Sequence, residues 1–184
     1  WSSDVCSSDL FAVAGDDDDI IHAGVKHLAD FLHMLGNPVA VIDSTGSTSM
    51  TRSLNLSYPL GILDVQRTLA VCAEDGVAAV IIAMNNATLQ REALESVNVD
   101  VLGSERVAQG EDVASLKTRY AFVSDRALAL TVPTGESDEL AAESPAMFDQ
   151  DRLGHMSLAV AMVLAAGVRR NNVRSALRVA NNLR

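Results

Sequence analysis

Ile21, Val25, Leu28, Leu32 and Leu35 recur at intervals of four and three, which places them on one face of a helix. Gly15 and the run Asp16–Asp19 stand at the start of that helix, where its dipole favours negative charge. Gly36-Asn37-Pro38 ends it. A β-branched strand over Val39–Ile42 comes next. A loop of small hydroxyl residues around Gly46 follows, then a short helical turn near Thr51 and a break at Tyr58-Pro59-Leu60-Gly61. Asp64 is placed to cap a helix over Val65–Glu74, with Val65, Leu69 and Cys72 on one face. Val77–Ala83 is an uninterrupted apolar run, the pattern of a strand covered on both faces of a parallel sheet. Beyond it the pattern predicts a helix over Thr88–Ser96, a strand over Val97–Leu102, a helix over Glu111–Phe122 and a strand over Ala127–Val132. Gly135–Gln150 reads as an acidic surface loop, and Gly154–Val168 and Asn171–Leu183 as two helices. Strands alternating with helices predict an α/β fold, a three-layer domain with a mostly parallel sheet.

Composition narrows the classes. The 184 residues carry a net charge of -10, which argues against a nucleic-acid-binding surface. Trp1–Leu10 resembles the in-frame translation of a sequencing adapter. It has neither periodicity nor a cap, and is set aside as an artefactual leader. Without Asp4 and Asp9 the charge is -8, and Cys72 is the one cysteine left. A lone thiol supports neither a disulfide nor a cysteine metal cluster, and points to a reducing cytoplasm. The longest apolar run, Met156–Val168, is about 13 residues, short of the roughly 20 that cross a membrane. His22, His27 and His33 are spaced five and six apart on one helix, so they face different ways and no metal site is expected there. One domain is expected over 11–184, with 11–37 open to being the end of a preceding domain.

The most informative stretch is Pro38–Met50. A short strand enters Asp43-Ser44-Thr45-Gly46-Ser47-Thr48-Ser49, a loop placed like a phosphate cradle but without lysine. Together with Gly36-Asn37-Pro38, Tyr58-Pro59 before a helix, and Ala83-Met84-Asn85-Asn86-Ala87-Thr88-Leu89 after a buried strand, it resembles the central, ATP-binding domain of the Mur ligase family. Those enzymes are ATP-dependent amide ligases of cell-wall precursor synthesis, and folylpolyglutamate and cyanophycin synthetases are relatives. The family loop reads Thr-Gly-Thr-Asn-Gly-Lys-Thr-Thr. In the simplest register Thr48 takes the place of its lysine and Ser49 that of the hydroxyl near Mg²⁺. The family's metal-binding glutamate and following histidine become Ala83 and Ala87. An Asp-His pair is missing from Leu102–Val107, Lys117 stands at the spacing of a carbamylated lysine, and Gly154-His155 keeps part of an adenine motif but not its asparagines.

The resemblance implies a P-loop-like topology, with ATP and Mg²⁺ as cofactors. It implies a site lined by Ser44, Thr45, Gly46, Ser47, Thr48, Ser49, Asn85, Asn86, Lys117 and His155. The groups lost all serve Mg-ATP, and removing even one preorganised stabiliser costs on the order of 10²–10³ in rate. The expectation is a noncatalytic family member whose partners are a cell-wall precursor or an active ligase. Two alternatives stand beside it. One is an active ligase whose charges come from Arg52, Asp43 or Glu105; the other is a generic doubly wound domain with a small ligand near Ser44–Ser49 and Asn85–Asn86. For Lys117, an ordinary surface lysine is the simpler reading, and for His155 a capping or packing role.

Overall fold

The structure, a computed structural model, describes residues 8–106, 111–144 and 150–179. Its centre is a strand that the apolar periodicity did not yield, β1 over Asp9–Ala14. Helix α1 (Asp18–Met34) follows, then β2 (Val39–Ile42), β3 (Ser47–Ser49), β4 (Arg52–Leu54), α2 (Ile62–Glu74), β5 (Ala79–Ala83) and β6 (Val101–Ser104). The remainder is α3 (Val113–Tyr120), β7 (Leu130–Thr131), α4 (Gly135–Ala142), α5 (Gln150–Ala165) and α6 (Arg170–Val179). The strands form one seven-stranded sheet in the order β4-β3-β2-β5-β1-β6-β7. β2, β5, β1, β6 and β7 run parallel, and β3 and β4 add an antiparallel hairpin at one edge. The expected mostly parallel α/β sheet is present.

β1 lies between β5 and β6, with Phe11 opposite Ile81 on one side and Val101 on the other. Its side chains alternate between two cores, as the strand period of two requires. Phe11 and Val13 join Ile21, Val25, Leu28 and Phe31 of α1, and Leu158 and Met162 of α5. Leu10, Ala12 and Ala14 join Val65 and Cys72 of α2, Leu116 and Tyr120 of α3, and the segment from Leu89 to Val99. Cys72 is thus a core residue. Gly103 lets α5 sit directly on β6: a Cβ there would lie 2.3 Å from Met162 Sδ.

Several expectations change. Asp9 and Leu10, inside the stretch set aside as a leader, pair with Ala79 and Val80, while residues 1–7 fall outside the described residues. Residues 11–37, open to being another domain's end, supply the middle strand and a helix on its face. No helix forms over Thr88–Ser96; Glu92 and Ser96 have φ of 63° and 62°, left-handed values that a right-handed helix cannot contain. The turn near Thr51 belongs to the β3–β4 hairpin, with Met50 at φ 56°. Strand β6 starts at Val101 rather than Val97, and β7 shortens to two residues. The stretch read as a loop holds α4, whose cap is reciprocal: Ser137 N donates to Thr134 Oγ1 at 3.1 Å, and Thr134 N to Ser137 Oγ at 2.8 Å. Residues 180–183 of the last predicted helix fall outside the described residues.

Candidate functional site

Ligands of open parallel sheets gather at the carboxyl ends of the strands, where neighbouring connections leave for opposite faces. Here the connection after β1 goes to the α1 face, while those after β5 and β6 go to the other. The loop at this switch is Gly15–Asp17. Asp17 is the N-cap of α1, with φ -134° and ψ 127°, and its Oδ1 accepts from Asp19 N at 2.8 Å and Ile20 N at 3.4 Å. The helix N-terminus therefore spends free amides on a carboxylate of its own chain. Asp16, Asp17, Asp18 and Asp19 are all exposed around it.

A polar relay links this loop to its neighbours. Asn85 Nδ2, at the end of β5, donates to Asp18 Oδ1 at 3.1 Å, and Asn85 Oδ1 accepts from Thr88 N at 3.0 Å. Thr88 Oγ1 accepts from Ser44 N, beyond β2, at 3.1 Å. Asp43, 3% exposed, accepts from Thr45 N at 3.1 Å through Oδ1. His22 Nδ1 of α1 is buried and lies 2.7 Å from the same oxygen without forming a hydrogen bond to it. At the end of β6, Glu105 contacts His155 Nδ1, and the His155 ring lies against His27 with centroids 5.1 Å apart. His27 Nδ1 in turn donates to Ala23 O at 2.8 Å.

The hydroxyl loop is placed otherwise than expected. Ser44, Thr45 and Gly46 form the turn from β2 into antiparallel β3, so no helix N-terminus stands behind them. Gly46, at φ 152°, supplies a backbone conformation that side chains disfavour. Ser47, Thr48 and Ser49 are strand residues. Ser47 Oγ accepts from Asp43 N at 3.0 Å and lies 2.5 Å from Tyr58 OH. Thr48 pairs with Val41 and Ser53, and Ser49 Oγ donates to Asp75 Oδ2 at 2.5 Å. Ser44–Ser49, expected to line a phosphate loop, thus lead from β2 through a turn into β3.

Of the other expected residues, Asn85 joins the relay, Asn86 Oδ1 accepts from Tyr120 OH at 2.9 Å, and His155 sits on Glu105. Lys117 is exposed on α3. Arg52 Nη2 lies 2.5 Å from Asp75 Oδ2. Hydrogen bonds from Ser49 and then Arg52 hold the Asp75 carboxyl below the usual aspartate range. Sequence reasoning missed β1 and with it the Gly15–Asp17 loop. The signal was Leu10–Ala14, an apolar run leading through glycine into a capped helix, and it was cut in two when Leu10 was set aside.

The architecture defines a fold class, a mostly parallel α/β sheet with helices on both faces, and solved structures share it. One structure it matches is the bifunctional folylpolyglutamate synthase/dihydrofolate synthase of Yersinia pestis CO92, at a TM-score of 0.52 and 16% identity, over 96% of this chain. The match spans 59% of that protein's chain. No protein-family profile and no curated protein matches the sequence. Among the described residues, no helix is long and apolar enough to cross a membrane.

Proposed function

We propose that this chain is a noncatalytic domain on the Mur-ligase fold whose nucleotide site is closed from within by carboxylates. The observation that carries the reading is Asp17, which holds the amides of Asp19 and Ile20 at the loop where the sheet's connections diverge. A helix N-terminus binds phosphate because its N–H groups are unpaired and its dipole is positive. Here the amides are engaged and four aspartates surround them. The family loop Thr-Gly-Thr-Asn-Gly-Lys-Thr-Thr, laid on Ala14–Ile21 instead of Asp43–Met50, puts Asp19 at the lysine and Ile20 and Ile21 at the hydroxyls. The residues present therefore do not fit a magnesium triphosphate.

Other groups that an active ligase could use are engaged. Arg52 is on Asp75, Asp43 on His22 and Glu105 on His155. Family chemistry, in which ATP phosphorylates a carboxylate and an amine displaces the phosphate, finds no lysine or arginine among residues 14–21 to receive the triphosphate. The partner we assign is a cell-wall precursor or an active ligase, and a free thiol at Cys72, buried in the core, fits a reducing cytoplasm.

Calorimetric titration of the full chain with MgATP tests the reading. The expected outcome is no saturable, magnesium-dependent heat. The variant that restores the family loop over residues 16–21 should gain such binding. Submillimolar, magnesium-dependent ATP binding by the unaltered chain would overturn the proposal.

A further inference from the structure

Away from the acidic loop, a cavity of about 480 Å³ opens between the segment after β5 and the end of α3, lined by Pro59, Asn86, Leu89, Gln90, Arg91 and Arg119. The volume falls in the range of small-ligand sites. Leu89 is 1% exposed and forms an apolar floor beside exposed Pro59. The polar lining consists chiefly of donors. Asn86 Oδ1 accepts from the Tyr120 hydroxyl at 2.9 Å, a bond that does not use the Asn86 Nδ2 donor. Gln90 Nε2 donates to Pro59 O at 2.9 Å, which ties the two sides of the opening together. Among the described residues Arg91 has no ion-pair partner. Arg119 Nη1 lies 3.9 Å from Glu111 Oε1, beyond hydrogen-bond range, and the Arg119 side chain also interacts with the Tyr120 hydroxyl.

In a chain of net charge -10, two exposed guanidinium groups beside one cavity concentrate positive charge at this place. The other arginine pairs are closer: Arg52 with Asp75 at 2.5 Å, Arg170 with Glu136 at 3.3 Å and Arg174 with Glu143 at 2.9 Å. Guanidinium forks match oxyanions bidentately and are weakly hydrated, so they select carboxylate or phosphate oxygens.

We infer that this cavity is a binding site for a small organic oxyanion, a carboxylate or phosphate monoester. Its charged end lies on Arg91, Arg119 and Asn86, and its apolar body on Leu89 and Pro59. The cavity lining shares no residue with the Gly15–Asp17 loop, although Asn85, next to Asn86, donates to Asp18 beside that loop.

The test is an NMR titration of the full chain with phenyl phosphate, benzoate and benzyl alcohol. At least one of the two anions should saturate in the millimolar range, shifting the Asn86 and Arg119 amides, while the neutral alcohol should not. Saturation by phenyl phosphate alone assigns a phosphate monoester; saturation by benzoate assigns a carboxylate. R91A and R119A should each weaken binding about tenfold, the loss of one charge-assisted contact, and R91K should fall between. Both side chains are exposed, so R91A alone suffices if R119A perturbs the fold. The inference is overturned if neither anion saturates, if benzyl alcohol binds equally well, or if R91A binds as tightly as the unaltered chain. Any MgATP heat abolished by R91A would belong to this cavity and not to the acidic loop.

Discussion

Two loops leave neighbouring parts of the sheet with similar ingredients and different outcomes. After β1 the chain passes Gly15 and aspartates, and after β2 it passes Asp43, two hydroxyl residues and Gly46. The first opens a helix, because Ile21, Val25, Leu28 and Phe31 repeat with the helical period and bury against the sheet. The second closes a hairpin, because Ser47 and Ser49 are buried with Thr48 half-buried between them, which is the strand period. A helix start presents several free backbone amides to one anion, aided by its dipole, and a strand start does not. Loop composition thus says little about phosphate binding until the period of the next eight or so residues is known, and the hydroxyl-rich loop was the less suitable of the two.

The contrast can be broken at three points. The largest effect is expected at β1 itself. Phe11 is 2% exposed between two strands, so F11A should cost about 3–5 kcal/mol in urea unfolding. A cost near zero would mean that the strand is dispensable and the β1–α1 loop is not held where described. Next is Asp43. D43A removes the acceptor of Thr45 N and the carboxylate beside buried His22 Nδ1, which should cost about 1–3 kcal/mol by the same measurement. The smallest effect is at the acidic loop, where D17A should cost about 1 kcal/mol as a lost N-cap, with slowed exchange at Asp19 and Ile20 amides giving way to fast exchange. If D43A proved harmless and D17A severe, the order of rigidity of the two loops would be reversed.

Much of the layout could be read from the residues alone. α1, β2, α2, β5, α3 and α5 stand where their apolar spacing or β-branched runs put them, to within a few residues. The misses share a cause. The segment from Thr88 to Ser96 has helix-forming composition, yet two left-handed residues and bridges such as Leu60 to Leu89 hold it as turns against α2 and α3. α4 buries only Ser137, Leu140 and Ala141, too short an apolar stripe to register as a period, and is marked instead by its Thr134–Ser137 cap. β1 was lost because its first two residues belong to a stretch that has no pattern of its own until β5 and β6 pair with it.

Local sequence alone settled where helices repeat, where glycine and proline stop them and that the sheet would be mostly parallel, since these follow from side-chain periodicity and backbone sterics within a few residues. Tertiary structure alone decided that Asp9–Ala14 is the middle strand and that Asp17, not a hydroxyl loop, stands at the switch point. It also set Arg91 and Arg119 beside one cavity. Each of these depends on which distant segments hydrogen-bond and pack side by side, and strand order is a long-range choice that no short window of residues encodes.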